Sequence, residues 1–354
     1  MKHKIKKCLS ELKKLKCDAL LISNPANVTY LTGFREADGY LLITASEEII
    51  YFTNFLYQEE AKKIASWKIV PSNSNIFGQI ASVIKKLRIT KVGFEAKHLP
   101  FLEYKKIKEL LLREAADFVE TLDLVEGIRA IKKVDEISLI RKSIEISQEA
   151  FEFVNEIYDT TMTEKDLSIE IEKFLRLRGD NRIAFPPIIA SGKNSAYPHY
   201  LAGEAKLNQN FFLIDLGSKY YEYCADLTRV FFEGKIPRFF KRIYDIVRKA
   251  QKLSIDKIKE GVKAKDVDKA ARQFIEQKGF GKYFGHGLGH GVGLEVHESP
   301  YLNQKNEEIL KEGMVITVEP AIYIAGKFGI RIEDMVLVTA EGREILSRGV
   351  PSIE

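Results

Sequence analysis

The chain has 354 residues, more than one compact core usually contains, so we expect two domains. Hydrophobic residues make up 45% of it and charged residues 30%, which is typical of a globular protein and excludes a collagen-like or disordered composition. The 55 lysines and arginines exceed the 50 aspartates and glutamates only slightly and are spread along helical stretches. We therefore expect no nucleic-acid partner.

The location of the protein is suggested by features that the sequence does not contain. Residues 1–18 are basic but include no uninterrupted apolar segment like that of a signal peptide, and no later stretch approaches the length of an apolar membrane span. The three cysteines, Cys8, Cys17 and Cys224, form no CxxC pair, which disfavours a disulfide framework and a thiolate zinc site. We expect a cytoplasmic protein without a membrane partner.

The first third of the chain alternates strand-like and helix-like segments. Strands are predicted at residues 19–22, 39–44, 48–52, 68–70 and 91–94, and helices at residues 55–63, 76–87 and 100–112. This order predicts helices packed on a sheet. The isolated histidines His3 and His98 indicate no catalytic cluster here, because a lone histidine is more often a surface or core residue than a ligand.

A domain boundary is predicted within residues 121–135, which lead into the amphipathic run of residues 136–158. We place the two domains at residues 1–125 and 126–354.

The second part begins with helix signals and continues with strands. Thr163 and Asp166 have the spacing of a capping box, and Gly179 stands where that helix should end. Further on, paired strands are predicted at residues 211–216 and 227–232, helices at 238–260 and 265–278, and strands again within 314–338.

Four carboxylates stand beside strand-like segments, where a charge is costly unless it is paired or binds a metal. They are Asp215, Asp226, Glu319 and Glu333. An ordinary salt bridge could explain any one of them, but four acids together with His290 favour a metal site. This donor set, without a thiolate, suits Mn²⁺, Co²⁺ or Zn²⁺, and two ions can share it. Because a two-metal centre activates water for attack on a carbonyl, the expected chemistry is hydrolysis.

Residues 284–297 contain three of the six histidines, His286, His290 and His297, among five glycines. The segment does not match a phosphate-binding loop, because it has no lysine followed by serine or threonine. One imidazole can bind a metal while others stabilise an oxyanion or move protons. His199 is a further candidate for such a role.

With these residues the sequence resembles the pita-bread metallopeptidases, which include methionine aminopeptidase, aminopeptidase P and prolidase. The motifs that carry the resemblance occur in the family's order: Asp215-Leu-Gly, Asp226-Leu-Thr, His286-Gly-Leu-Gly-His290, Val296-His297-Glu298, Val318-Glu319-Pro320 and Arg331-Ile-Glu333-Asp334.

The resemblance implies a role for each of these residues. Asp215 would bind one metal, His290 and Glu319 the other, and Asp226 and Glu333 would bridge the two. His199 and His297 would contact the substrate or the tetrahedral intermediate, and Glu319 would relay a proton. Outside this set, three residues would support the site: His286, Tyr323 and Arg331.

Residues 24–34 (NPANVTYLTGF) resemble the extra domain of the creatinase, prolidase and aminopeptidase P branch. The implied fold is an α/β creatinase-like N-terminal domain followed by an α+β pita-bread catalytic domain. The resemblance also implies a homodimer. The complete ligand set favours a peptidase, and the resemblance to this branch implies a substrate with proline in its second position, where the tertiary nitrogen has no N–H to hold. In the mechanism that we expect from the ligand set, a metal-bridging hydroxide attacks the carbonyl before proline. Mn²⁺ is the expected metal, with Co²⁺ or Zn²⁺ as alternatives.

Two questions stay open in the sequence. Many relatives have an arginine at the position of Tyr301, and in prolidases this arginine is linked to binding the substrate carboxylate. Because this chain has tyrosine there, a Xaa-Pro dipeptidase and a Xaa-Pro aminopeptidase both remain candidates. The alternative from another class is a catalytically inactive binding protein with the pita-bread fold. Such proteins usually lose ligands, and this chain has all five.

Overall fold

The computed structural model describes residues 2–35, 38–63, 67–72, 74–207, 211–232 and 234–350. The chain divides into two compact units, Met1–Arg129 and Ala130–Glu354. The domain limits of residues 1–125 and 126–354 stay a prediction. In the described part of the chain, no helix has both the length and the apolar character needed to cross a membrane.

Within its described residues, the N-terminal unit has one mixed sheet and six α-helices. The helices are α1 Lys2–Lys14, α2 Pro25–Thr32, α3 Gln58–Ala61, α4 Ile76–Lys86, α5 Phe101–Arg113 and α6 Leu124–Arg129. The strands are β1 Ala19–Ile22, β2 Gly39–Thr44, β3 Ile49–Asn54, β4 Lys68–Ser72, β5 Lys91–Glu95 and β6 Asp117–Thr121. The sheet has the order β4-β3-β2-β1-β5-β6, antiparallel at β1–β2 and β2–β3 and parallel elsewhere.

One core cluster of this unit lies between the sheet and helices α4 and α5. Strand residues such as Leu42 and Phe52 are fully buried against Ile80, Ile84 and Ile107 of the helices. The alternating α/β pattern of the sequence reflects this packing, because each helix buries one apolar stripe on the sheet.

The predicted helix at residues 55–63 is wrong in part. The structure has a short 3₁₀ helix, Phe55–Tyr57, and then α3. Helix α2, which the pattern of apolar residues missed, has clear end signals. Asn24 accepts a hydrogen bond from the Ala26 N–H, Pro25 occupies the first turn, and Gly33 ends the helix at a φ of 76°.

A buried polar network explains why residues 24–34 stand out in the sequence. Asn27 donates to the Glu95 carboxylate over 2.6 Å and accepts from Arg129 over 2.7 Å. The same carboxylate accepts from the Asn24 backbone N–H over 2.7 Å. His98, isolated in sequence, lies 3.1 Å from the Asn24 amide nitrogen. The network satisfies polar groups that would otherwise be costly to bury.

In the part of the second unit that the structure describes, four α-helices are combined with several small antiparallel sheets. The helices are α7 Val134–Ile157, α8 Glu164–Arg178, α9 Arg238–Ile255 and α10 Ala264–Gln277. The strands are β7 Ile188–Ser191, β8 Phe211–Leu216, β9 Lys219–Tyr220, β10 Tyr223–Cys224, β11 Leu227–Phe232, β12 Gly289–Gly291, β13 Glu298–Leu302, β14 Val315–Val318, β15 Ala321–Ile324, β16 Phe328–Arg331, β17 Asp334–Val338 and β18 Arg343–Ile345. Short 3₁₀ helices cover Gly192–Ala196 and Gly281–Tyr283.

Two sheets of this unit carry or directly adjoin the five predicted metal donors. One has the order β11-β8-β7 and the other β13-β12-β14-β17-β18. The predicted pairing of residues 211–216 with 227–232 is present as the antiparallel pair β8–β11. Helix α9 packs on the strands through buried residues such as Ile243 and Val247, which belong to one cluster with Ile316, Val318 and Val336.

The predicted capping box forms at the start of α8. The Thr163 hydroxyl oxygen accepts from the Asp166 N–H over 3.0 Å, and the Asp166 carboxylate accepts from the Thr163 N–H over 2.8 Å. Gly179 is the C-cap residue of this helix, as its position predicted. Both ends of α8 were therefore readable from the sequence.

Replacing Thr163 with alanine should lower the free energy of unfolding by about 1 kcal/mol, because one N–H of the first turn loses its acceptor. Urea denaturation followed by far-ultraviolet circular dichroism measures this change. Thr160→Ala, the same substitution in the preceding loop, is the control and should have the smaller effect. Equal effects of the two variants would contradict the role of the cap.

Candidate metal centre

The five predicted donors come from five different places in the second unit. Asp215 is in β8, Asp226 directly precedes β11, and His290 is the central residue of β12. Glu319 directly follows β14, and Glu333 lies between β16 and β17. The donors are therefore held by backbone that the sheets order, which suits a preorganised site.

The structure brings these donors together in overlapping groups. Asp215, Asp226 and Glu333 offer ligand atoms that all lie within 4.8 Å of one another, and so do His290, Glu319 and Glu333. A third such group combines Asp226, His290 and His297. Glu333 belongs to the first two groups, so its carboxylate lies close to the other donors of each group. All five predicted metal ligands thus occupy one site.

Burial and mutual repulsion dominate the electrostatics of three of the carboxylates. Removal from water raises the pKa of Asp226 and Glu333 well above their usual values, and neighbouring carboxylates add to the rise. Burial also raises the pKa of Asp215, against the opposing charge of Arg331. In the absence of a cation, these acids disfavour one another's ionised form.

His290 and Glu319 form an ion pair within this cluster. The imidazole Nε2 lies 3.2 Å from Glu319 Oε1 and 3.6 Å from Asp226 Oδ2. Burial alone would raise the pKa of Glu319, but the hydrogen bond and charge of His290 outweigh it and lower that pKa. Burial likewise tends to lower the pKa of His290, and Glu319 raises it above the ordinary value.

The donor set fits divalent metal ions. Asp215 Oδ1 and Glu333 Oε1 are buried and accept no hydrogen bond from the described residues. Buried oxygens without donors are costly, and clustered carboxylates need positive charge. Two divalent cations would supply that charge, and a set of carboxylates with one imidazole suits hard or borderline ions.

Arg331 stabilises the cluster from one side. Its guanidinium donates to Asp215 Oδ2 and to the Tyr323 hydroxyl, and its Nε donates to the Thr228 hydroxyl over 3.0 Å. Thr228 in turn donates to Glu333 Oε2 over 2.7 Å. One buried cation thereby orients two of the acids, and Arg331 and Tyr323 lie beside the site as the resemblance implied.

The other predicted histidines lie around the same cavity, which has a volume of about 780 Å³. His199 and His297 are exposed on its wall, and the His297 ring centroid is 4.3 Å from that of His290. The His286 Nδ1 lies 2.7 Å from the Gly287 carbonyl, while its buried Nε2 has no partner among the described residues. Burial lowers the pKa of His286, and partial removal from water together with the nearby His290 lowers that of His297, which favours neutral imidazoles.

Two of the glycines around His290 are required by close backbone contacts. A Cβ at Gly289 would overlap the Thr317 carbonyl, and one at Gly291 would overlap the Ser299 carbonyl. Because β12 lies between β13 and β14, only glycine on either side of His290 allows this approach.

An ion pair on α10 supports the glycine-rich segment and was not predicted. Asp268 is fully buried, pairs with Arg272 over 2.7 Å, and accepts from the Leu288 N–H over 3.1 Å. Arg272 also donates to the carbonyls of Phe284 and His286. The only signal in the sequence is an acid and an arginine four positions apart, which is common on solvated helix faces.

The fold and the donor cluster define a candidate metallohydrolase, and comparison with known proteins identifies its family. Residues 138–340 match metallopeptidase family M24, and residues 4–131 match the creatinase/prolidase N-terminal domain. The chain therefore belongs to metallopeptidase family M24. The predicted family, the two-domain creatinase-like and pita-bread fold, and the prediction of a metal-dependent hydrolase are confirmed.

Individual relatives are similar over nearly the whole chain. A Xaa-Pro dipeptidase of Pyrococcus horikoshii is 37% identical over 352 residues, which cover 98% of this chain and 97% of that protein. The structure of a Xaa-Pro dipeptidase from Bacillus anthracis matches with a TM-score of 0.93 at 36% identity and covers 99% of this chain and 98% of that chain. An X-Pro aminopeptidase structure from Thermotoga maritima matches at 0.86 and 34%, covering 95% and 97%.

Replacing Arg331 with methionine should lower the free energy of unfolding of the chelator-treated protein by about 3–5 kcal/mol, because Asp215 would remain buried without its counter-charge. Denaturant unfolding in the presence of EDTA measures this loss. Arg343→Met is the matched control, because Arg343 pairs with Asp256 at the surface, where side-chain exposures are 30% and 48%. That change should cost at most about 1 kcal/mol. Equal losses would contradict the account of Arg331.

Proposed function

We propose that this protein is a dinuclear-metal Xaa-Pro peptidase, which releases the residue that precedes proline at the N-terminus of a peptide. The observation that carries the proposal is the sharing of Glu333 between two buried donor groups inside an open cavity. The named relatives add support, because dipeptidases and an aminopeptidase that act at proline are similar over nearly the whole chain.

In this proposal Asp215 holds one ion, His290 and Glu319 hold the other, and Asp226 and Glu333 contact both. When bound, the ions would supply a water of lowered pKa as nucleophile and stabilise negative charge on the carbonyl oxygen. Mn²⁺ is the proposed native metal, because carboxylates outnumber the single imidazole in the donor set.

The chain's own residues would move protons and stabilise the reacting carbonyl. Glu319 is suited to accept a proton from the attacking water and to pass it to the prolyl nitrogen, because its carboxylate lies at the cavity wall among the other donors. His297 and His199 line the cavity beside the donor groups and can donate hydrogen bonds to the carbonyl oxygen. The bond between the first residue and proline then breaks, and proline becomes the first residue of the shortened product.

The length of the substrate depends on what lies beyond proline. Among the residues described along this cavity there is one guanidinium, Arg331, and no lysine. Arg331 already donates to Asp215 and Tyr323, and Tyr301, 46% exposed, replaces the arginine of many relatives. The free carboxylate of a dipeptide therefore lacks a dedicated cation in this cavity. We propose a peptidase that accepts chains longer than a dipeptide.

We propose a cytoplasmic homodimer; the three cysteines are free and buried, in keeping with a reducing compartment, and the dimer rests on the family resemblance. The alternative of an inactive binding protein is disfavoured, because a scaffold has no need to keep four acids, three of them buried, and a histidine in one site.

Product analysis tests the proposal directly. Apoprotein reloaded with Mn²⁺ is incubated with an Xaa-Pro dipeptide and, separately, with an Xaa-Pro-Xaa tripeptide. We expect release of the first residue from both, with the higher kcat/KM on the tripeptide, and loss of both activities with EDTA. No release from either peptide under Mn²⁺ would contradict the proposal, and activity in EDTA would exclude the metal mechanism.

The variant Tyr301→Arg tests the missing cation. An arginine at this position should raise kcat/KM for the dipeptide relative to the tripeptide by about tenfold, because a charge-assisted hydrogen bond to the carboxylate contributes about 1.5–3 kcal/mol when well formed. Tyr301→Phe is the control and should leave the ratio nearly unchanged. A dipeptide preference in the original chain would mean that another group replaces the arginine.

A further inference from the structure

The two sheet strands next to Glu319 and Glu333 are paired only as far as the residues adjacent to these acids. Strands β14 and β17 form an antiparallel ladder whose last partners are Val318 and Asp334. Glu319 is the next residue along the first strand, and Glu333 is the residue just before the second. The β14–β17 ladder therefore ends just short of both acids, and their spacing depends on contacts beyond it.

Gln251 of helix α9 makes contacts at this end of the ladder. Its side-chain Nε2 lies 3.1 Å from the Val318 carbonyl oxygen and 3.1 Å from the Ile332 carbonyl oxygen. These carbonyls belong to the residues that directly precede Glu319 and Glu333. The same nitrogen lies 3.0 Å from Asp334 Oδ2. One amide thus reaches both backbone segments that carry metal-binding acids.

These hydrogen bonds matter for stability because they are buried. Gln251 is 6% exposed, and helix α9 packs in the core through the fully buried Val247 and Ala250 on the preceding turn. An amide has two hydrogens for these three acceptors, so they share its donors. Without a donor here, buried carbonyls would lose hydrogen bonds that water cannot fully replace. A fixed helix therefore holds the end of the ladder in place.

Asp334 connects the amide to the opposite side of Glu333. Its Oδ1 accepts from Arg229 over 2.7 Å and from the Ser347 hydroxyl over 2.7 Å. Arg229 also donates to the Glu333 carbonyl. The backbone of Glu333 is thus bounded by Gln251 contacts on the Ile332 side and by Arg229 on its own carbonyl. The acid is held at both peptide groups.

We propose that Gln251 is a positioning residue for the metal centre, which sets the separation of Glu319 and Glu333 by bridging the backbone segments in front of them. It touches neither the reacting atoms nor a metal, and it acts only through these acids. The inference rests on the proposed function, because it assumes that both acids bind metal. Partners that orient metal ligands commonly affect metal affinity by about 10–100-fold.

Gln251→Met tests the proposal, because methionine keeps the unbranched shape and length but has no donor. Mn²⁺ binding to the gel-filtered, metal-free variant is measured by the electron paramagnetic resonance signal of the free ion, together with kcat, KM and the thermal midpoint of the apoprotein. We expect the Mn²⁺ dissociation constant to rise about tenfold or more and kcat to fall, with a smaller change in KM. Unchanged Mn²⁺ affinity with a lowered thermal midpoint would overturn the proposal.

Two further variants separate positioning from packing. Gln251→Lys supplies three hydrogens and no acceptor, so it should bind Mn²⁺ more tightly than Gln251→Met. Equal weakening in both would assign the effect to packing and overturn the hydrogen-bond role. Gln79→Met removes a comparable bond, from Gln79 Nε2 to the Pro71 carbonyl over 3.0 Å in the N-terminal unit, and should leave Mn²⁺ affinity unchanged.

Mn²⁺ binding by the original chain distinguishes a failure of the proposed function from a failure of the role of Gln251. If it binds no Mn²⁺, the proposed function fails and the role of Gln251 fails with it. If it binds two ions and Gln251→Met binds them equally well, only the positioning role is wrong.

Discussion

The gathering of four carboxylates in one buried site is the constraint on which the second unit depends. Each acid is costly to bury in ionised form, and each raises the cost for its neighbours, so positive charge must be supplied. His290 and Arg331 supply part of it through Glu319 and Asp215. Oxygens of Asp215 and Glu333 still lack partners among the described residues, and bound divalent ions would satisfy them. The same feature that weakens the apoprotein thus prepares the site for metal.

The surrounding structure keeps these mutually repelling groups in place. The donors lie in strands β8 and β12 or directly beside the ends of strands β11, β14 and β17, so the sheets order the backbone next to each of them. Glycines at 289 and 291 allow the His290 strand to lie between its neighbours. Behind the strands, the buried side chains of helices α9 and α10 contact backbone carbonyls and N–H groups next to the ligands. Side-chain hydrogen bonds therefore support the backbone beside the ligands, and the ligands line an open cavity.

Local chemistry explains which features were readable from the sequence. The strands around Asp215 and Asp226 and the cap at Thr163 follow from apolar runs and side-chain spacing, and the structure contains them. The five donors could be named because carboxylates beside apolar strands are conspicuous. Helix α2 escaped the pattern, because its apolar residues do not form a clear stripe and only its end residues mark it. Gln251 and the Asp268–Arg272 pair were invisible, since their partners are backbone groups brought near by the tertiary fold.

The central claim is that this site holds two metal ions that share Glu333. Anomalous X-ray diffraction from crystals soaked in Mn²⁺, recorded on both sides of the manganese absorption edge, tests it most directly. The account predicts two manganese peaks within the cluster, one beside Asp215 and one beside His290 and Glu319, with Asp226 and Glu333 in contact with both. A single peak, or manganese bound only elsewhere on the chain, would contradict it.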